Sequence, residues 1–99
     1  MTMFSQKFEW DPAKNQENLR KHGIRFEEAM LVFDGPILTR IDSRFGYGEI
    51  REISIGNIKN ITVVVVVHTQ RDTKIRLISA RIANKTERNL YHVHFAEKD

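Results

Sequence analysis

The sequence contains a run of five consecutive valines, Val63–Val67, which limits the possible folds more than any other segment. β-Branched side chains lose freedom in a helix and pack well on a pleated sheet, so the run predicts a strand. Successive side chains on a strand point to opposite faces, so this strand is apolar on both faces. The run therefore predicts a central strand that is covered on each side. It is far shorter than the roughly 20 apolar residues of a membrane helix, which excludes membrane insertion.

Four segments have the composition of strands, with β-branched residues bounded by turn-forming ones. They are residues 37–41, 49–56, 61–70 and 74–81. The connection between the last two is a hairpin turn made of Arg71, Asp72, Thr73 and Lys74. A shorter alternating segment, residues 8–10, predicts one more short strand near the start of the chain.

Two helices are predicted before residue 37. Asp11 and Pro12 have the pattern of an N-cap followed by proline at the first helical position, and Gly23 ends this helix after about His22. An apolar stripe at helical spacing predicts the second helix, which residues 34–36 end. The stripe consists of Phe26, Ala29, Met30 and Phe33.

A third helix is predicted from about Asn84, because Asn84 and Glu87 have the spacing of a capping box. Two residue pairs compete for the inward edge of this helix. They are Leu90 with His94, and Tyr91 with Phe95. The spacing leaves both alternatives open.

Helices followed by strands and a last helix predict an α+β fold. We expect two N-terminal helices, an antiparallel meander of about four strands and a C-terminal helix. A chain of 99 residues has room for one core, so residues 1–99 are expected to form a single domain.

Composition excludes several kinds of chemistry. The chain contains no cysteine, which excludes a disulfide framework, a cysteine zinc site and a thiol nucleophile. Its net charge of +3 permits an acidic partner such as nucleic acid without requiring one. The N-terminal residues have no apolar run typical of a signal peptide, so we expect a cytoplasmic protein.

Arginines on three consecutive predicted strands or their turns are the candidate phosphate-binding groups. They are Arg51, Arg71, Arg76 and Arg81. A guanidinium group offers a rigid two-pronged donor that suits phosphate. The alternative is a set of solvated charges paired with acids such as Glu49, Glu52 and Asp72. Strand alternation also predicts that Arg76 and Arg81 face opposite sides of the sheet.

The histidines have less specific interpretations. His22 is either a proton carrier or a cation that complements the helix dipole. His68, on the central strand, is more typical of a hydrogen-bonded core histidine than of a catalyst. His92 and His94 are two residues apart on a predicted helix and cannot share a metal ion, so no metal site is expected.

The chain resembles the BrnT family of toxins along most of its length, about residues 8–91. The first half matches in residues 8–11, Lys14, 18–19, 21–24, 26–29, 32–34 and Pro36. The second half matches in Gly48, Glu49, Arg51, 55–56, 65–66, Thr69, Arg71, Arg76, 78–81, Ala83, 87–88 and Tyr91. Several separate motifs in one order make the resemblance more specific than any one of them.

The resemblance implies a RelE-like fold and a ribonuclease that blocks translation, without a cofactor. It also implies a partner, a ribbon-helix-helix antitoxin similar to BrnA. The complex would repress its own operon, so the toxin would reach operator DNA only through the antitoxin. Two toxins on one antitoxin dimer are a further expectation from the family.

Site roles follow from the chemistry that the resemblance implies. The 2′-hydroxyl of RNA attacks the adjacent phosphate, which requires a base, an acid and cations around the phosphate. We expect Arg81 and Arg51 to stabilise the phosphate with help from Arg71, His22 or Glu49 to act as base, and Tyr91 as acid. The flanking RNA backbone would be held by Lys14, Lys21, Lys74 and Arg76.

A second hypothesis is a non-catalytic regulatory module with a toxin-like fold that binds nucleic acid or protein. The joint presence of the candidate catalytic residues favours the enzyme. Two departures from the family pattern concern local structure: Arg25 stands where a small polar helix cap is expected, and residues 70–74 lack glycine.

Overall fold

The computed structural model of the protein describes residues 7–43 and 48–96. It confirms the α+β order. The elements are β1 (Phe8–Glu9), α1 (Pro12–His22), α2 (Phe26–Ala29), a 3-10 helix (Met30–Asp34), β2 (Leu38–Asp42), β3 (Arg51–Ile58), β4 (Thr62–Arg71), β5 (Lys74–Ile82) and α3 (Lys85–Ala96). None of the helices in these two stretches is long and apolar enough to cross a membrane.

Over the described residues the sheet has five strands in the order β1-β5-β4-β3-β2. Strands β2 to β5 form the predicted antiparallel meander. The first short strand extends this sheet, because β1 pairs with β5 in parallel orientation. Phe8 is buried and packs on Phe33 with ring centroids 5.5 Å apart, while Glu9 accepts a hydrogen bond from Arg76 on the opposite face. These contacts give a strand of only two residues its place.

The valine run lies in β4, the middle strand of the sheet, as predicted. Val64 and Val66 are fully buried on the side covered by α1, α2 and the 3-10 helix, which we call the α1 face. Val63 and Val65 are buried on the other side, under α3, which we call the α3 face. The sheet thus separates two apolar clusters, and the valines contribute to both.

Helix α1 has the predicted ends. The Asp11 carboxylate accepts the Ala13 N–H at 2.9 Å, and Gly23 adopts the left-handed conformation (φ 73°). The buried Asn18 side chain fixes the helix to β5, since it accepts the Ala80 N–H at 3.0 Å and donates to the Ala80 carbonyl at 2.8 Å. The Asn18 amide thus satisfies the backbone groups of Ala80 that a neighbouring strand would otherwise bind, since β1 pairs with β5 only at Ile75 and Arg76.

The predicted second helix divides into two elements, because α2 changes to a 3-10 helix at Met30. The segment packs directly on β3: a Cβ atom at Gly56 would lie 2.6 Å from Cβ of Val32. The expected polar cap is replaced by one contact from α1 and one contact within the segment itself. The Phe26 N–H donates to the Asn15 side chain at 2.8 Å, and the Arg25 N–H donates to Glu28 at 3.0 Å.

The predicted hairpin between β4 and β5 forms without glycine. Arg71 pairs with Lys74 across the turn. Asp72 takes the left-handed conformation (φ 55°) that glycine would otherwise supply, and its carbonyl accepts a hydrogen bond from Gln70. Asp is one of the few residues that tolerate this conformation.

The prediction that Arg76 and Arg81 face opposite sides of the sheet is wrong. Val67 pairs with Ser79 but His68 pairs with Leu77, which leaves Ile78 as an extra residue in β5. An extra residue in one strand shifts its alternation by one position. Arg76 and Arg81 therefore both lie on the α3 face.

Candidate functional site

The α3 face is a grid of side chains from strands β2 to β5. Strand register aligns them in three rows across the sheet. The rows are Leu38, Ile55, Val65 and Arg81; Arg40, Ile53, Val67 and Ser79; and Asp42, Arg51, Thr69 and Arg76. The centre of this face is apolar, and cations lie toward its margins.

Helix α3 covers one part of the face and leaves the rest open. Tyr91 and Phe95 form its inward edge, packing on the sheet with their rings 4.7 Å apart, which decides between the two predicted pairs. The Tyr91 hydroxyl donates to the Pro36 carbonyl at 2.8 Å. The predicted capping box is present: Asn84 N–H donates to Glu87 at 2.9 Å and Glu87 N–H donates to Asn84 at 2.8 Å.

A groove of about 690 Å³ runs between α3 and the open part of the sheet. Its floor is apolar and comes from the first two rows of the grid. Its polar walls come from α1, β2, β5 and α3. The polar side chains that line it include His22, Arg40, Ser79, Arg81, Glu87 and His94.

His22 reaches the groove because of how α1 is held. Asn18 bonds to the backbone of Ala80, and His22 follows one helical turn later on the same side of α1. That spacing places the imidazole at the edge of β5, where Arg81 follows Ala80. His94 lines the groove from α3, so two imidazoles border the same space.

Arg81 and Glu87 form a two-bond ion pair inside the groove. Nη1 and Nη2 of Arg81 each donate to one carboxylate oxygen of Glu87 at 2.8 Å. Hydrogen bonds from Arg81 and from the Asn84 N–H, with the charges of Arg81 and Arg40, lower the pKa of Glu87 against the opposing effect of burial. Glu87 is therefore a carboxylate at neutral pH, and Arg40 belongs to the same electrostatic cluster.

The other predicted arginines lie near the β4–β5 hairpin. Thr69 lies between Arg51 and Arg76 across the sheet, and Val65 lies beside Arg81. Thr69 and Val65 are about 13 Å apart along β4, at roughly 3.3 Å per residue. Glu49 accepts from Arg51 Nε at 3.2 Å and from Arg71 Nη2 at 3.5 Å. Arg76 donates to Glu9 at 3.1 Å. We call Arg51, Arg71, Lys74 and Arg76 the hairpin cations.

The structure brings some of the predicted residues together and separates others. His22 and Arg81 share the groove. Glu49 lies with the hairpin cations rather than with His22. Tyr91 is 4% exposed and its hydroxyl is directed to the Pro36 carbonyl. Lys14 and Lys21 are exposed on α1, where Lys21 lies 3.7 Å from Glu17.

His68 is a buried histidine, as predicted. It is 5% exposed on the α1 face, where it makes a 2.7 Å hydrogen bond with Ser54 Oγ. Ser54 is itself fully buried and lies 2.7 Å from Thr39 Oγ1. The groove lies on the other face, so His68 is a structural residue.

Among the described residues that line the groove, three ionisable ones were absent from the predicted site: Arg40, Glu87 and His94. The sequence predicts a capping role for Glu87, and the structure confirms it. The capping pattern gives no indication that Glu87 also contacts Arg81. Two sequence features had singled out His94, its helical spacing from Leu90 and its position two residues after His92. Within residues 7–43 and 48–96, no three histidine, aspartate or glutamate side chains converge as metal ligands would.

Comparison with known proteins adds two findings. A family model described as "Ribonuclease toxin, BrnT, of type II toxin-antitoxin system" matches residues 10–87. The crystal structure of the Brucella abortus ribonuclease toxin BrnT superposes with a TM-score of 0.61 at 22% sequence identity, covering 80% of this chain and 97% of that one. This likeness shows a shared fold. No match was found among curated proteins.

Proposed function

The chain belongs to the BrnT family of ribonuclease toxins of type II toxin–antitoxin systems, and from this premise we propose that it cuts RNA in the groove beside α3. One observation carries the proposal: two imidazoles and two guanidinium groups surround a single groove with an apolar floor. These side chains are His22, His94, Arg40 and Arg81. Phosphodiester cleavage needs both kinds of group within reach of one phosphate.

The reaction follows from the chemistry of RNA. The 2′-oxygen attacks the adjacent phosphorus, one imidazole takes the 2′-proton, and the other gives a proton to the 5′-oxygen as its bond to phosphorus breaks. The products are a 2′,3′-cyclic phosphate and a 5′-hydroxyl. Imidazole suits both roles because it gains and loses protons near neutral pH. Arg81 and Arg40 hold the charge that develops on the phosphate oxygens.

Two predicted roles receive no support from the geometry. Tyr91 is committed to the Pro36 carbonyl, and Glu49 bonds to Arg51 and Arg71 near the hairpin. We therefore assign the proton transfers to His22 and His94 rather than to these residues. We had expected Arg51 and Arg71 to bind the reacting phosphate. We now assign them to the phosphates next to it in the RNA chain.

The flanking RNA is held by the hairpin cations, which lie on the same face as Arg81. Contacts of this kind attract phosphates without reading the bases. A single-stranded RNA crossing the α3 face would place one base on the apolar floor and the next phosphates near Arg51 and Arg76. Lys14 and Lys21 on α1 extend the basic surface from the other side of His22.

Cleavage needs no metal in this proposal, because the nucleophile is part of the substrate and arginines supply the positive charge. Cleavage is therefore expected to continue in excess EDTA. Loss of activity in EDTA, restored by a divalent cation, would contradict this part of the proposal.

Membership of a type II toxin–antitoxin family implies a protein antitoxin. We propose that it is a ribbon-helix-helix protein, that the complex represses its own operon, and that the toxin acts on RNA in the cytoplasm. Two toxin chains would bind one antitoxin dimer. Co-expression with the product of the neighbouring reading frame, followed by size-exclusion chromatography and operator-DNA binding, tests the pairing, the stoichiometry and the binding to the operator.

The decisive variant is Arg81→Ala. Loss of one preorganised donor is expected to slow RNA cleavage by about 10²-fold or more and to relieve growth arrest on induction. Arg20→Ala is the matched control, because Arg20 also pairs with a carboxylate, Glu17, but lies on α1 outside the groove. An unchanged cleavage rate in a folded Arg81→Ala variant would contradict the proposal that RNA is cut in this groove. RNA binding without cleavage by the unmodified protein would favour the regulatory module.

A further inference from the structure

The carboxylate of Glu87 binds the two Nη donors of Arg81 that a phosphate would also bind. Both bonds of the pair are 2.8 Å, and they join the two Nη atoms to the two carboxylate oxygens. A phosphodiester presents two non-bridging oxygens to guanidinium in the same two-pronged manner. Glu87 and an RNA phosphate are thus alternative ligands for the same donors, and each carries one negative charge.

Glu87 has other partners that remain when Arg81 changes its ligand. It accepts the N–H of Asn84 at 2.9 Å and lies in the first turn of α3, where the helix dipole favours an anion. The positive charge of Arg40 also acts on it. Its side chain is 22% exposed, so the released carboxylate also gains contact with water. Exchange therefore leaves no buried charge without a partner.

We propose that Glu87 is an internal competitor of the substrate: an RNA phosphate enters the groove by displacing Glu87 from Arg81. The inference rests on the proposed function, because it concerns the phosphate site of the same groove. Glu87 thereby sets how strongly the groove binds RNA. An isolated phosphate gains little by the exchange, whereas RNA that also contacts the floor and the hairpin cations makes additional contacts.

The test measures binding rather than cleavage. The probe is a fluorescently labelled single-stranded oligonucleotide with 2′-deoxy sugars, which keeps the phosphodiesters but lacks the nucleophile. Failure of the proposed ribonuclease activity would therefore leave this measurement unaffected. Binding is followed by fluorescence anisotropy at low ionic strength, where charge contacts are least screened.

Glu87→Gln is expected to bind the probe about two- to fivefold more tightly than the unmodified protein, the range that a partly exposed ion pair allows. Glutamine preserves the capping box, so α3 is retained. Glu87→Asp is the second variant. It keeps the charge but shortens the side chain, and it is expected to tighten binding as well because the two-bond pair is weakened.

Two controls separate competition from a simple gain in net charge. Glu17→Gln removes a carboxylate that pairs with Arg20 by two bonds on the exposed surface of α1. Glu27→Gln removes an exposed carboxylate of α2, which accepts a hydrogen bond from Asn15 and lies outside the groove. Both raise the net charge by one, as Glu87→Gln does, and both are expected to change affinity less.

The double variant Arg81→Gln/Glu87→Gln completes the design. Its affinity is expected to exceed that of Arg81→Gln by no more than the charge controls produce, because the guanidinium that Glu87 binds by two bonds is absent. Weaker binding by folded Glu87→Gln and Glu87→Asp would show that Glu87 positions Arg81 for the substrate, which overturns the proposal. An effect no larger than that of Glu17→Gln would also overturn it.

Discussion

At the scale of single residues, burial decides the role of His68. The residue is 5% exposed, and its ring lies edge-on to Phe33 with the centroids 5.0 Å apart and makes a hydrogen bond with Ser54 at 2.7 Å. Burial lowers the pKa of this imidazole, and the charge of Glu52, whose carboxylate lies 3.9 Å from Nδ1, opposes part of that effect. The neutral form is therefore the one that the folded protein accommodates.

This lowered pKa makes stability depend on pH. In the unfolded chain the histidine titrates near 6.5, so below that pH the unfolded state binds more protons than the folded state. The His68 contribution is complete above about pH 7 and is lost as pH falls toward the pKa of the folded state. We expect the free energy of unfolding, measured in urea, to be lower at about pH 5.5 than at about pH 7.5.

His68→Gln is expected to reduce this difference between the two pH values, although it lowers stability at both by weakening the Ser54 contact. His92→Gln, at an exposed position on α3, is the control and is expected to keep the difference. An unchanged pH dependence in His68→Gln would show that other groups produce it.

At the scale of elements, α3 determines the shape of the groove. Its inner side anchors the helix through Tyr91 and Phe95, while its groove side presents Glu87 and His94. The two sides have separate functions because residues at different helical positions point in different directions. Substitution of a side chain on the inner side of α3 is expected to change the free energy of unfolding but not the rate of RNA cleavage.

Tyr91→Phe tests this separation. Loss of the hydrogen bond to the Pro36 carbonyl is expected to lower the free energy of unfolding by about 1 kcal/mol, since the ring remains packed. The cleavage rate at saturating RNA is expected to be unchanged. Urea unfolding and a fluorogenic RNA assay measure the two quantities. A large fall in rate with intact folding would restore Tyr91 as the predicted acid.

At the scale of the whole molecule, the placement of charge matters more than its sum. The net charge is only +3, and the predicted competition from acids is observed, since Arg51, Arg71, Arg76 and Arg81 all contact carboxylates. Even so, cations of several strands share the α3 face. A surface of this kind binds a polyanion by releasing its counterions, so affinity is expected to fall with salt.

Arg76→Gln is expected to weaken binding of the 2′-deoxy probe and to reduce the slope of log K against log salt by about one. Lys59→Asn removes one positive charge from the β3–β4 turn at the other end of the sheet, where asparagine tolerates the positive φ of 55°. It is expected to change the slope less. Equal effects of the two variants would show that RNA does not follow the hairpin cations.

The local sequence was sufficient for most of the elements. The valine run predicted the central strand, Asp11 and Gly23 predicted both ends of α1, and Asn84 predicted the start of α3. Such features follow from interactions between residues close in the chain, which recur with a fixed period or spacing. The second helix was only partly predictable, because the apolar spacing does not distinguish an α-helix from the 3-10 helix that begins at Met30 and packs on Gly56.

The assembly of the groove was decided by tertiary structure. The extra residue Ile78 places Arg76 and Arg81 on one face, and an amide on α1 holds His22 beside β5. Local patterns establish which residues alternate, but a one-residue shift in pairing reverses the outcome without changing the pattern. The sequence by itself therefore determined the elements and the kinds of side chain available for chemistry. Strand register and helix docking, which depend on contacts between distant residues, decided which of those side chains meet.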